Sequence, residues 1–356
     1  MRVGIIGLPT CGKTTVFQAL TGSEKPGSRA SGGELRIVSV PDARLEALAA
    51  MYRPRKVTPA TIEFVDPVLG GQQGAHFAES LLALMRDVDA LAHVVRAFRS
   101  PAVPHPQGTI DPVRDFHTLN SELLLADLAV VEKRLERLAK DLKKGKNPDL
   151  ESEYALLQQC QEALENERPL RHLTLTESES KRLRGFGLLS SKAQLVVINL
   201  DEEHIQAEST VVQQFCDQLR DAHLEVIPVY GQIESEIALL PPDEAQAFLA
   251  EMGLQHAGLD RFVRASYALL GLCSFFTAGE KEVRAWTIAK GMLAPQAAGV
   301  IHSDLERGFI RAEVIRYEDL MASGSLAKGR EAGKLRIEGK DYHVQDGDVA
   351  LIRFNV

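Results

Sequence analysis

Apolar and polar positions alternate with two different periods along this chain. Short, almost wholly apolar runs recur: Val3-Gly4-Ile5-Ile6, Thr61-Ile62-Glu63-Phe64-Val65-Asp66, Ala90 to Val95, Gln194-Leu195-Val196-Val197-Ile198-Asn199, and Glu225-Val226-Ile227-Pro228-Val229. They predict strands buried on both faces. Leu35 to Val40 is a further strand. Between the strands, apolar residues return every three or four positions and predict helices. Val16, Phe17 and Leu20 line one that ends near Gly22; Leu45, Leu48 and Met51 line another begun by Pro41-Asp42-Ala43. Phe77 to Met85 and Val211 to Ala222 are two more. Strand and helix in alternation predict a parallel sheet with right-handed crossovers, whose ligands sit at the carboxyl ends of the strands.

The texture changes at Thr118. Leu128, Val131, Leu135, Leu138 and Leu142 are spaced by three and four, a coiled-coil seam, and Gly145-Lys146-Asn147-Pro148 breaks it. Leu150, Tyr154, Leu157 and Leu164 continue the seam in a second arm, so the segment predicts an antiparallel helical hairpin. Its tip carries Lys140, Lys143, Lys144 and Lys146, either a solvated end or a contact for RNA phosphate or an acidic partner. The strand–helix pattern then resumes, which makes the hairpin an insertion. From Leu272 the pattern changes again: strands over Val283 to Ile288 and Phe309 to Ile315 flank a helix around Gln296 to Ile301. Tyr342-His343-Val344 and Val349 to Phe354 then close a hairpin through Gln345-Asp346-Gly347-Asp348. That is the pattern of a small β-grasp unit. The expected organisation is a parallel α/β domain in two parts, 1–117 and 190–271, an inserted hairpin at 118–189, and a β-grasp domain at 272–356.

The candidate chemistry lies at the start of the chain. Gly7-Leu8-Pro9-Thr10-Cys11-Gly12-Lys13-Thr14-Thr15 follows a strand, precedes a helix and matches G-x-x-x-x-G-K-[ST]. Glycines at both ends let the backbone turn its N–H groups inward around a phosphate, and the helix N-terminus adds its own. Lys13 is placed for the β- and γ-phosphates and Thr14 for Mg²⁺. Asp66, the acid at a strand end, is the second candidate for the metal. Asn199 on a later strand is the candidate for the base, in the tetrad Asn199-Leu200-Asp201-Glu202, with Gly231 beyond the following strand completing the set. A guanine-reading tetrad carries Lys second and Asp fourth, and the Asp accepts both N–H groups of the guanine edge. Leu200 and the longer Glu202 tilt the preference toward ATP. As a helix start with ordinary acids, the same tetrad needs no ligand.

Bulk properties narrow the class. At 356 residues the chain should hold two or three domains, with 25% charged and 45% hydrophobic residues, ordinary values for a soluble protein. No apolar run reaches the ~18 residues of a membrane span, and the N-terminus enters the first strand at once, so a cytoplasmic protein without a membrane partner is expected. A net charge of −8 leaves no general affinity for nucleic acid, and no DNA partner is expected. The cysteines Cys11, Cys160, Cys216 and Cys273 have no zinc-like spacing. Cys11 is either loop filler or a thiol whose pKa is lowered by the phosphate-binding N–H groups.

These stretches together resemble the Obg-like ATPase (YchF) family. The resemblance rests on Gly4 to Pro9 with Gly12 to Thr15, Thr61 to Asp66, Ile233-Glu234-Ser235-Glu236-Ile237, and Phe276-Thr277-Ala278-Gly279 with Glu282 to Trp286. Gly308 to Val314, Glu338 to Tyr342 and Arg353-Phe354-Asn355-Val356 complete it. It implies a P-loop parallel α/β sheet interrupted by a helical hairpin, a C-terminal TGS-type β-grasp domain, ATP preferred over GTP through an Asn-x-x-Glu tetrad, Mg²⁺, and binding to the ribosome, through the large subunit or ribosomal RNA. The family also lacks the usual catalytic Gln. Two segments depart from its pattern. Asp66 is followed by Pro67-Val68-Leu69-Gly70, one place late for the glycine that binds γ-phosphate, and Gly70 to Gly74 shortens the second switch. In the first switch, Ala30 stands where a metal-binding Thr belongs, with Ser28 or Ser31 as substitutes. Three readings follow: a Mg²⁺-dependent ATPase with slow hydrolysis that associates with the ribosome, a nucleotide-binding module without turnover that binds ribosome or RNA, and a GTPase.

Overall fold

The computed structural model describes residues 1–20, 29–30, 33–67, 82–219, 224–254 and 257–355. The switch candidates Ser28, Ser31, Leu69 and Gly70 to Gly74 lie outside them, as does Phe77. The chain forms two compact units, 1–37 with 63–262 and 38–62 with 263–356. Residues 38–62, read in sequence with the nucleotide domain, cluster with the C-terminal strands.

The first unit is built on a seven-stranded sheet. Its strands are β1 (Arg2–Ile6), β2 (Arg29–Ala30), β3 (Gly33–Ser39), β5 (Thr61–Asp66), β6 (Ala90–Arg96), β7 (Ala193–Asn199) and β8 (Glu225–Val229), in the order β2-β3-β5-β1-β6-β7-β8. From β5 to β8 every neighbouring pair is parallel. Ile5, Ile6, Val94, Val95, Val196, Val197 and Ile198 are at most 1% exposed, as strands covered on both faces require. Helix α1 (Lys13–Ala19) follows β1 and buries Val16, Phe17 and Ala19.

The hairpin sits in the crossover from β6 to β7. Its first helix, Pro112–Leu142, begins before the expected start at Thr118, because Asp111 accepts from Arg114 N at 3.0 Å and Pro112 fits the first turn. Its second helix, Pro148–Glu165, is capped by Asn147. Val131, Leu135, Leu138, Leu157 and Leu164 pack between the two arms, with Leu183 and Leu188 from the returning chain closing the base. Asp127 fastens that base: fully buried, it accepts from Leu189 N (2.9 Å), Ser190 N (2.7 Å) and Ser190 Oγ (2.7 Å).

The second unit holds β4 (Val57–Thr58), β9 (Leu272–Ala278), β10 (Val283–Ala289), β11 (Phe309–Arg316), β12 (Arg336–Glu338) and β13 (Asp348–Phe354), ordered β12-β11-β13-β9-β10-β4. Helix α2 (Ala43–Tyr52), capped by Asp42, belongs to the same unit. β13 runs parallel to β9 and antiparallel to β11, a β-grasp arrangement, with helix Ala294–Ile301 on the core formed by Phe275, Ile288, Ala312 and Val314. One expectation fails here. Tyr342 to Val344 does not pair with β13; among the described residues that segment makes only an isolated bridge, His343 to Leu293. Side chains explain it: Asp348 Oδ2 accepts from Gln345 N (2.9 Å) and Tyr342 Oη (2.7 Å), and Asp346 Oδ1 accepts from Ser274 N (3.0 Å). These bonds make a turn that delivers β13 to β11 and β9 instead.

Candidate functional site: the loop after the first strand

β1 ends against β6, where Ile6 registers with His93, and the chain turns back over β6. Gly7 is required by proximity: a Cβ there would lie 2.4 Å from the Val94 carbonyl oxygen. Gly12, at φ +90°, is required twice over, since its Cβ would meet Asn199 Nδ2 at 2.2 Å. Gly12 is the N-cap of α1, and no side chain among the described residues caps the helix. The first N–H groups of α1, from Lys13 to Thr15, therefore remain available to a ligand.

Lys13 Nζ donates to the Gly7 and Leu8 carbonyls at 2.7 and 2.9 Å, closing the loop over its own backbone. Cys11 is buried at 3% exposure, and burial pushes its thiol up, outweighing Lys13 and the backbone donors. The lowered pKa considered from sequence is thereby corrected: desolvation wins. Pro9, Thr10 and Thr14 are exposed, while Leu8 and Thr15 are half-buried.

Asp66 ends β5, next to the strand that feeds the loop, since Val65 registers with Gly4. It is 2% exposed, and Oδ2 has no hydrogen-bond partner among the described residues. Burial raises its pKa to about 6, with Lys13 opposing the shift and Glu34 adding to it. A buried carboxylate oxygen left without a donor suits a cation or a cation-bound water.

Asn199 closes the site from the other side. Its Nδ2 donates to the Cys11 carbonyl at 3.1 Å, and its Oδ1 accepts from Gly231 N at 3.0 Å. The candidate base reader is therefore first a clamp between the loop and the turn after β8, with one amide N–H left over. Gly231 is pressed against that amide: a Cβ there would lie 2.9 Å from Oδ1. Leu200 is buried, its N–H donating to the Val229 carbonyl at 2.9 Å. Asp201 is engaged locally, accepting from Arg99 N at 2.9 Å and meeting His204 Nδ1 at 2.5 Å. Glu202 is exposed and, among the described residues, makes no hydrogen bond or ion pair. The structure thus brings together the residues from Gly7 to Thr15 with Asn199 and Gly231, and leaves Glu202 outside these contacts.

Two participants escaped the sequence pattern. Glu234 is buried and accepts from Tyr230 N (2.9 Å) and Leu259 N (2.6 Å), holding the turn that presents Gly231; burial raises its pKa to about 7. Arg96, the last residue of β6, donates to Thr10 in the loop. For Arg96 the available signal was a charged residue at the end of an apolar run, and it was used only for Asp66.

With this geometry in hand, likeness to known proteins decides the lineage. A protein of Bacillus subtilis (strain 168) described as "Ribosome-binding ATPase YchF" is 46% identical over 368 residues, covering 100% of both chains. The chain belongs to the YchF family. A protein of Escherichia coli O157:H7 with the same description is 40% identical over 369 residues, covering 100% of this chain and 99% of that one. The family described as "YchF-GTPase_C: Protein of unknown function (DUF933)" matches residues 272–355. Among solved structures, one titled "Structure of the Schizosaccharomyces pombe YchF GTPase" superposes with a TM-score of 0.87 at 30% identity, over 99% of this chain and 97% of that one. The P-loop sheet, inserted hairpin and β-grasp unit are therefore the YchF fold. Among the described residues, no helix of this YchF chain is long and apolar enough to cross a membrane.

Proposed function

We propose that this YchF chain is a cytoplasmic, Mg²⁺-dependent ATP-binding protein with slow hydrolysis that associates with the ribosome. The observation that carries the reading is the clamp at Asn199, which joins the Cys11 carbonyl of the glycine loop to the Gly231 N–H beyond β8. It fastens a phosphate-type loop to the neighbourhood where a base would lie. Lys13 exchanges the Gly7 and Leu8 carbonyls for β- and γ-phosphate oxygens, and the free N–H groups at the start of α1 take the remaining phosphate charge. Thr14, exposed at the head of α1, and Asp66, whose buried Oδ2 has no partner among the described residues, are the side chains that would hold Mg²⁺. When bound, the ion neutralises charge on the β- and γ-phosphates. Exposed Glu202 in place of a guanine-reading Asp supports ATP over GTP. The full-length likeness to proteins named ribosome-binding ATPases supports the ribosome as partner. The exposed lysines Lys140, Lys143 and Lys146 at the hairpin tip offer ribosomal RNA a phosphate contact.

The altered residues after Asp66 favour a second reading, binding without turnover. Single-turnover assays with ATP and GTP, with Lys13→Ala as control, separate the readings. ATP turnover lost in Lys13→Ala supports the enzyme; tight ATP binding without turnover supports the module. Faster turnover of GTP than of ATP would sink the reading of Glu202. Co-sedimentation with ribosomes tests the partner directly, and the double charge reversal K143E/K144E tests the tip.

A further inference from the structure

Arg96 breaks the apolar pattern of β6 at its last residue and is 2% exposed, one of the largest buried side chains in the protein. Its donors all meet neutral acceptors: Nη2 donates to the Val103 carbonyl (2.6 Å), Nε to the Phe98 carbonyl (3.2 Å), and Nη1 to the Thr10 carbonyl (3.4 Å) and Thr10 Oγ1 (3.3 Å). The guanidinium also lies over the Phe98 ring, 4.4 Å from its centroid. No carboxylate among the described residues pairs with it. A buried cation without a counter-charge is costly, and neutral acceptors offset only part of that cost.

The residue it grips is itself unusual. Thr10 adopts φ +65°, a left-handed conformation that a β-branched residue rarely takes without support. Thr10 stands inside the glycine loop, so its backbone sets the direction of the peptide groups that follow. Register fixes the rest: Arg96 pairs with Asn199, so the guanidinium and the Asn199 clamp leave the ends of adjacent strands and reach the same loop.

Resting on the nucleotide reading of that loop, we propose that Arg96 is a positioning residue for the polyphosphate. It holds Thr10 in the left-handed conformation, and it keeps an uncompensated positive charge in contact with the loop that bound phosphates complete. The conformational part acts on any nucleotide. The charge part grows with the number of phosphates.

The test is a double-mutant cycle on the full chain, with affinities for ATP, ADP and AMP measured by competition against a fluorescent ATP analogue in Mg²⁺ buffer. Arg96→Gln keeps a donor and loses the charge; it should weaken ATP at least tenfold and AMP less than threefold. Thr10→Asn, which tolerates φ > 0, should recover at least threefold of the ATP loss in the Arg96→Gln background. Thr10→Val, at an exposed position, keeps the charge and removes the Oγ1 acceptor. It should weaken all three nucleotides by a similar factor, and it serves if Arg96→Gln does not fold. Equal losses for ATP and AMP in Arg96→Gln, strictly additive effects of Arg96→Gln and Thr10→Asn, or unchanged ATP affinity in Arg96→Gln or in Thr10→Val would overturn the proposal. If the wild-type chain binds none of the three while folding normally, the reading of the loop fails first, and this proposal with it.

Discussion

Replacing Asn199 by alanine is the sharpest perturbation of the site that leaves its phosphate-facing groups in place. The amide makes two buried hydrogen bonds, to the Cys11 carbonyl at 3.1 Å and from Gly231 N at 3.0 Å, at 3% exposure. Each contributes about 1 kcal/mol net, and a buried N–H left at Gly231 costs about 1–3 kcal/mol more. Asn199→Ala should therefore destabilise the first unit by about 3–5 kcal/mol. If half of that is loop order needed for binding, ATP affinity falls at least tenfold, since about 1.4 kcal/mol is a factor of ten. Asn199→Asp supplies a sharper comparison. It keeps the acceptor for Gly231 but turns an oxygen toward the Cys11 carbonyl and adds negative charge near the phosphates. Aspartate should therefore bind ATP worse than alanine despite retaining one bond. Urea unfolding followed by far-UV circular dichroism reads the stability, and calorimetric titration reads the affinity. A loss below 0.5 kcal/mol with unchanged affinity in Asn199→Ala would refute the clamp.

Three further outcomes are expected. His93, 1% exposed, has its pKa lowered to about 3, chiefly by burial and further by Lys13 and Arg171. Between that value and about 6.5 the unfolded chain binds the extra proton, so this residue's contribution to stability is complete above pH 6.5. It falls by up to about 1.4 kcal/mol per pH unit below. Urea midpoints from pH 7 to 5 should show a shallower acid decline in His93→Asn. Asp127→Ala strands the Leu189 and Ser190 N–H groups at the base of the hairpin and should cost about 3–5 kcal/mol, with Asp127→Asn milder, as thermal melts and hydrogen exchange at Leu189 and Ser190 would register. Gly12→Ala combines a φ of +90° with a Cβ 2.2 Å from Asn199 Nδ2. It should lower ATP affinity at least tenfold in a titration, and by a smaller factor in the Asn199→Ala background, where the amide is gone.

The parts legible in the sequence are those whose cause is local. Apolar runs marked β1, β5, β6, β7 and β8 because strands covered on both faces need no partner to reveal their burial. The loop was legible because its glycines and Lys13 answer a geometric demand within nine residues. The hairpin seam was visible at three-and-four spacing, although its start was not, since Phe116, Leu119 and Leu123 continue the same helix upstream of Leu128 toward Pro112. What escaped depends on distant partners. β13 pairs with β11 and β9 because Asp346 and Asp348 bind Ser274, Gln345 and Tyr342, and no local pattern announces those bonds. Asn199 was chosen to read a base, yet its amide holds Cys11 and Gly231, separated from it by 188 and 32 residues. Arg96 went unnoticed because a cation that pairs with no carboxylate among the described residues looks like a strand end until Thr10 is seen beside it.

The central claim is that the loop from Gly7 to Thr15 binds the phosphates of ATP. Calorimetric titration of the wild-type chain and of Lys13→Ala with ATP in Mg²⁺ buffer tests it most directly. Saturable one-to-one binding by the wild type, weakened at least tenfold in a folded Lys13→Ala variant, is the predicted result. Equal ATP affinity in the two proteins, or none in the folded wild type, would contradict it.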